Sequence, residues 1–191
     1  MRLFIAIEVG PDIQRAVSRV VDELRQRAER TAPRARVSWV KAERSHLTVR
    51  FIGEADEPLH RAIMSAVEPE LSTRSFDLTI AGTGSFPPGR PPRVLWAGVT
   101  TGLAEIQALE REVASRLEGL PLPRPDRDYH PHLTLARVTY PAGLRPAALL
   151  SGLENSPFGA VRVEAVTLFE SRLSSKEPVY LAHGRTSLRR A

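Results

Sequence analysis

Two identical triplets, His46-Leu47-Thr48 and His132-Leu133-Thr134, are the residues of this chain best suited to chemistry. They lie in the runs Ser45-His46-Leu47-Thr48-Val49-Arg50-Phe51 and Pro131-His132-Leu133-Thr134-Leu135-Ala136-Arg137. Each run alternates polar and apolar residues, as a strand with one buried face does. In a strand, residues two apart point to the same side, roughly 7 Å apart at their bases. Each histidine therefore shares a face with a threonine, while Leu47, Val49, Leu133 and Leu135 form an apolar face that can pack on helices. An imidazole beside a hydroxyl, present twice, suits displacement at the phosphorus of a phosphodiester. One histidine can deprotonate an attacking water while the other protonates the leaving oxygen on the opposite side. Histidine fits both tasks because its unperturbed pKa of ~6.5 lies near working pH. The hydroxyls can donate to the non-bridging oxygens, where charge builds.

A single His-x-Thr in a strand is most often structural. Here two of only five histidines occupy identical triplets. A zinc site is the rival arrangement, and it usually takes three or four protein ligands. His130 and His132 could supply two and His46 a third, but no carboxylate stands at a ligand spacing. No metal and no cofactor is expected. His130, two positions before His132, can line the same face or be an edge residue. His60, in a helical stretch, and His183, in a C-terminal strand, read as structural or surface residues.

The elements that must position these residues follow from periodicity. Residues 2–9 read as a buried strand. Pro11-Asp12 opens a helix to about Arg30, with Ile13, Val17, Val20, Val21 and Leu24 at helical spacing. Short strands are expected over Val37–Val40 and His46–Ile52, a helix over Leu59–Leu71 and a strand over Phe76–Ala81. Gly82–Pro92 holds four prolines and reads as the loop that crosses between two lobes. The pattern then restarts. A strand at Arg93–Val99 precedes a helix at Leu103–Leu117, with Leu103, Ile106, Leu109, Val113 and Leu117 on one face. Leu120–Asp128 is proline-rich and irregular. A strand at His132–Val138, a short helix at Pro146–Leu153 and strands at Val161–Phe169 and Val179–Gly184 complete the chain. The first strands of the two series begin 91 positions apart and the histidines 86 apart. An internal duplication with divergent loops follows, its approximate halves 1–86 and 87–191 making one bilobal domain over 1–191. Two such lobes would face each other and set the histidines on opposite sides of a phosphate.

Composition narrows the partners. With 191 residues and 42% hydrophobic side chains the chain can bury a core. It carries 27 Lys plus Arg against 22 Asp plus Glu, and its only lysines are Lys41 and Lys176. Guanidinium groups suit phosphate, so the balance leans to an anionic or nucleic-acid partner. The absence of cysteine excludes disulfides, thiolate catalysis and cysteine-based zinc sites. The apolar start, Met1 to Val9, is interrupted at Glu8 and lacks a leader's long apolar region. No apolar run approaches the ~20 residues of a membrane span. A cytoplasmic monomer is expected.

The chain resembles the two-histidine (2H) phosphoesterases, and specifically the bacterial and archaeal RNA 2′,3′-cyclic phosphodiesterase, or 2′-5′ RNA ligase, family. The resemblance covers almost the whole chain. It rests on Arg2-Leu3-Phe4-Ile5-Ala6-Ile7, on Trp39-Val40 and on the two His-x-Thr-x tetrads. It extends to Gly84-Ser85-Phe86-Pro87, Arg93-Val94-Leu95-Trp96-Ala97-Gly98-Val99 and Leu168-Phe169-Glu170-Ser171. It implies a bilobal α+β fold with two antiparallel sheets around a cleft. It implies metal-independent hydrolysis of a 2′,3′-cyclic phosphate on an RNA end or a small cyclic nucleotide, leaving a 2′-phosphomonoester, with 2′-5′ ligation as the reverse reaction. His46 would be the proton donor and His132 the proton acceptor, with Thr48 and Thr134 binding phosphate. Arg137 and His130 are further candidate substrate contacts; on a regular strand Arg137 would face away from His132. Phe4, Trp39 and Tyr129 are candidates for stacking on a base. The alternative is a non-catalytic RNA-end-binding module, which would keep a basic cleft without needing both histidines.

Overall fold

A computed structural model describes residues 1–125, 127–173 and 178–190. The fold is α+β. The strands are β1 (Arg2–Glu8), β2 (Arg36–Trp39), β3 (His46–Glu54), β4 (Leu71–Arg74), β5 (Phe76–Phe86), β6 (Val94–Thr101), β7 (His132–Tyr140), β8 (Pro157–Val163), β9 (Ala165–Leu173) and β10 (Pro178–Arg189). The helices are α1 (Pro11–Thr31), α2 (Glu57–Val67), α3 (Leu103–Arg116) and α4 (Pro146–Leu150). None of the described helices is long and apolar enough to cross a membrane.

The strands run in the order β4-β10-β9-β1-β3-β7-β6-β5-β8, with β2 added beside β7. Two wings meet at β3 and β7, which pair at a single register position, Leu47 opposite Leu133. Beyond it the motif strands part. β2 takes the vacated edge of β7, with Trp39 opposite Ala136 and Val40 N–H donating to the Leu135 carbonyl at 3.0 Å. The wings are antiparallel except at one edge, where β4 runs parallel to β10.

Neither wing is built from one half of the chain. β5 pairs with β6 and β8, while β9 and β10 return to pair with β1 and with each other. The crossover therefore falls at Ser75, between β4 and β5, and not in the proline-rich loop. Residues Gly82–Phe86 of that expected loop continue β5. The helices cross too: α1 follows β1 but packs on β7 and β8, and α3 follows β6 but packs on β3 and β4.

Two other expectations shift. The helix expected to reach Leu71 ends at Val67, and Leu71 opens β4 with its side chain buried. The strand expected over Val161–Phe169 is two strands, β8 and β9, parted at Glu164. The irregular segment 120–128 remains without regular structure where it is described; Asp126 lies outside the described residues.

The core lies between the sheet and the helices. Leu3, Ile5, Ile7, Leu47, Val49, Leu133 and Leu135 meet Ile13, Val17 and Leu24 of α1 and Ile106, Leu109 and Val113 of α3, all buried. α1 is amphipathic and starts at Gly10-Pro11, where proline loses no helical hydrogen bond. Leu103 departs from the apolar face assigned to it and is 43% exposed. Arg50 reaches Glu110 of α3 at 3.0 Å, half-buried on both sides, and ties β3 to that helix. The apolar face of the motif strands is thus filled by helices, which leaves the histidine face to the other side of the sheet.

Candidate active site

The register at Leu47–Leu133 fixes the motif geometry. Leu47 and Leu133 are buried against the helices, so His46, Thr48, His132 and Thr134, each one residue away along its strand, turn to the opposite face. Both threonines and both histidines are half-buried. All four predicted residues of the tetrads therefore share one surface at the junction of the wings.

Each imidazole is held in the same way. His46 Nδ1 lies 2.9 Å from the Arg44 carbonyl, and His132 Nδ1 lies 2.7 Å from the His130 carbonyl. A carbonyl only accepts, so each Nδ1 carries the proton and each Nε2 is left as the working atom. Burial is the largest cause lowering both imidazole pKa values. In each the carbonyl bond opposes the shift, and the Arg137 charge adds to it; His130 also adds to that of His132.

The rings are packed by aromatic groups. Phe4, 5% exposed, lies against His46 with centroids 4.9 Å apart and against Phe169 at 5.4 Å. Phe4 is therefore a floor under His46, not a free stacking surface. Tyr180 meets His46 edge-on at 5.2 Å. On the other wing Phe86 packs against His132 at 5.2 Å and against His130 at 5.1 Å. His130 is exposed and lies beside His132, with ring centroids 6.3 Å apart. Trp39 is on β2, half-buried against β7. Tyr129 donates its hydroxyl to the Thr48 carbonyl at 3.0 Å, which satisfies the edge that β3 exposes where it leaves β7. Burial and the Glu110 carboxylate push this phenol up, so it stays a donor.

Arg137 corrects the regular-strand expectation. Trp96 pairs with Thr134, but the next residue back, Leu95, pairs with Ala136. Leu135 is thus an extra residue, a β-bulge. Leu135 and Ala136 are both buried, and Arg137 returns to the histidine face, exposed. β3 carries a matching irregularity: Ala6 pairs with Thr48 and Ile5 with Arg50. There the bulge brings Phe51, 53% exposed, to the same face. Phe51 went unnoticed because strict alternation puts it opposite His46. The adjacent apolar pair Leu135-Ala136 was the one local sign of the phase change. Tyr180 and Phe86 lie far from the motifs in sequence and carried no such sign.

Among the described residues no group of three or more His, Asp or Glu gathers as metal ligands. His60 and His183 lie on the helix side, with ring centroids 4.6 Å apart. His183 bonds Glu170 at 3.0 Å, and that carboxyl, also held by Arg172, is lowered to about 2.

A crossed-over sheet with two like-held histidines and two threonines at its junction defines a 2H phosphoesterase. Residues 11–174 match the model of the 2′-5′ RNA ligase superfamily, and the chain belongs to that family. It is 33% identical over 182 residues to the RNA 2′,3′-cyclic phosphodiesterase of Methanothermobacter thermautotrophicus, covering 94% of this chain and 95% of that one. It is 34% identical over 143 residues to the protein of the same name from Aeropyrum pernix, covering 74% and 80%. Among solved structures, TT0787 of Thermus thermophilus superposes with a TM-score of 0.79 at 27% identity, over 99% of this chain and 98% of that one. E. coli LigT complexed with 3′-AMP shares the fold, with a TM-score of 0.71 at 22% identity over 98% and 97%.

Proposed function

We propose that this protein hydrolyses the 2′,3′-cyclic phosphate of an RNA end, or of a small cyclic nucleotide, to a 2′-phosphomonoester. The observation that carries this reading is the pair of imidazoles, each fixed through Nδ1 to a carbonyl two residues upstream, on one face of the strand junction. His132 Nε2 takes a proton from water, whose oxygen attacks phosphorus. The P–O3′ bond breaks, and His46 delivers its proton to O3′. The roles follow the family resemblance; the geometry makes the pair nearly interchangeable. Thr48 and Thr134 donate to the non-bridging oxygens, and Arg137 adds a cation at the rim. The bound phosphate favours the charged form of the acid, which offsets the lowering by burial.

The names of the relatives, RNA 2′,3′-cyclic phosphodiesterase, support the substrate. The same two groups run 2′-5′ ligation by microscopic reversibility when a 5′-hydroxyl replaces water. A non-catalytic RNA-end-binding module is the other reading, but it has no use for two matched tautomer locks. The test is to incubate the protein with a 2′,3′-cyclic nucleotide, and separately with an RNA ending in that phosphate, in EDTA. Turnover with a 2′-phosphate product is expected. No turnover of either substrate overturns the metal-free hydrolase, and a 3′-phosphate product reverses which oxygen leaves.

A further inference from the structure

Two strands joined at one register pair can open like scissors about it, and β3 and β7 pair at Leu47 opposite Leu133 alone. Both sides of that crossing are filled. Toward the C-terminal end of β7 the filling is a strand: β2 lies in the gap, and Val40 N–H donates to the Leu135 carbonyl at 3.0 Å. Toward the C-terminal end of β3 it is a side chain. Tyr129 spans the gap and donates its hydroxyl to the Thr48 carbonyl at 3.0 Å.

Tyr129 stands three residues before His132, half-buried against the core. Its neighbour His130 supplies the carbonyl that meets His132 Nδ1 at 2.7 Å. Residues 129–132 therefore orient the imidazole of one tetrad and grip the backbone of the other. The far end of this brace is backed by α3. Arg50, two residues past Thr48, pairs with Glu110 at 3.0 Å. Burial, and then the charge of that same Glu110, keep the Tyr129 phenol protonated, so it donates throughout the pH range in which histidines work.

Thr48 needs such a hold. On its other side it pairs with Ala6, beside the register shift between Ile5 and Ala6, so the ladder is irregular where the hydroxyl has to be placed. A group that stabilises a transition state tolerates little error: a misplacement of ~1 Å can cost about 100-fold in rate.

We propose that Tyr129 is a positioning residue for Thr48: its hydroxyl, by fixing the Thr48 carbonyl, sets the Thr48 side chain against the phosphate on which His132 acts. This rests on the hydrolase reading above. In this role Tyr129 acts through Thr48 and not on the reacting atoms.

The test is Tyr129→Phe, which removes one oxygen and keeps the ring, with kcat and KM measured on a 2′,3′-cyclic nucleotide. The change is made in the unaltered protein and in the Thr48→Val and Thr134→Val backgrounds, and thermal unfolding of each variant is followed. In the unaltered protein kcat is expected to fall roughly 10–100-fold, with KM and the two limbs of the pH profile held within about a factor of two. In the Thr48→Val background the same change is expected to cost less than about threefold, because the hydroxyl it places is gone. In the Thr134→Val background it keeps its full cost. Tyr129→4-aminophenylalanine, which returns a donor to the same place, is expected to recover most of the lost kcat. A packing role would move stability without this coupling or this rescue. Native kcat in Tyr129→Phe, an equal loss in all three backgrounds, or a folded 4-aminophenylalanine variant as slow as Tyr129→Phe overturns the positioning role alone. No turnover of cyclic nucleotide or cyclic-ended RNA by the unaltered protein overturns the hydrolase reading, and this role with it.

Discussion

Arg137 reaches the histidine face only because of a bulge, and its charge lowers both imidazoles. Arg137→Met keeps the length of the side chain and removes that charge. A unit charge roughly 8 Å from an imidazole is worth about 0.5 kcal/mol at the dielectric of water and about 2 kcal/mol at an effective value of 20. Arg137 is exposed, so the effect lies near the lower figure, roughly a threefold change in the imidazolium equilibrium. The sign follows directly. A nearby cation disfavours imidazolium, so its removal raises both pKa values, and the whole bell of kcat/KM against pH moves upward. That factor changes the rate about threefold on each limb, in opposite directions. Loss of the charged contact to phosphate adds a pH-independent penalty of roughly 10–150-fold. The ratio of native to variant kcat/KM should therefore be about tenfold larger on the acid limb than on the alkaline limb. The assay is initial rates on a 2′,3′-cyclic nucleotide from about pH 4.5 to 8.5 at fixed low ionic strength, since salt screens an exposed charge. A penalty that is flat across pH, or a bell that moves down, refutes the electrostatic role and leaves Arg137 as a phosphate contact at most.

His46→Ala and His132→Ala should each lower kcat/KM on cyclic phosphate by about 100–10,000-fold, and a near-native rate removes that residue from the mechanism. Thr48→Val or Thr134→Val should cost about 10–1000-fold, mostly in kcat if the hydroxyls act on transition-state charge. Gly84→Ala sets a Cβ 2.2 Å from the Trp96 ring; chemical denaturation should show a loss of about 1–3 kcal/mol, and native stability would mean the ring swings away freely. Glu112 of α3 accepts from Ser72 N, Thr73 N and the Thr73 hydroxyl and is lowered to about 2. Glu112→Gln should destabilise at pH 7 by about 1–3 kcal/mol, measured by denaturation. The difference is fully present above the unfolded carboxyl value and is lost as pH falls toward 2.

The tetrads were legible because two locally regular strands needed nothing from the rest of the chain. Strand alternation put His46 with Thr48 and His132 with Thr134, and the structure keeps both pairs. What alternation could not carry is which strands neighbour them. β5 reads as the last strand of the first half, yet its partners are β6 and β8, because pairing is set by non-local burial. Arg137 and Phe51 failed for a related reason: one extra residue in the ladder reverses every face beyond it. Leu103 failed because helical spacing assigns a face but does not say where the neighbouring sheet ends.

The crossing of elements explains how one triplet, used twice, comes together at one junction, as the proposed acid–base pair requires. Were each half to fold on its own, the two histidines would sit on separate surfaces joined by a linker. Here α1 covers β7 and β8 while α3 covers β3 and β4, so each half is completed only by the other. The wings cannot separate without exposing both helices' apolar faces, so the junction does not depend on the one register pair, Leu47–Leu133, between β3 and β7. The difference between the histidines then comes from their surroundings. Glu8 pairs in register with His46, whereas Gly98 pairs with His132. The bulge beyond His46 delivers Phe51, and the bulge beyond His132 delivers Arg137. In the proposed reaction, near-symmetry would set two imidazoles across one phosphorus, and these few unlike neighbours are what can set one as donor and the other as acceptor.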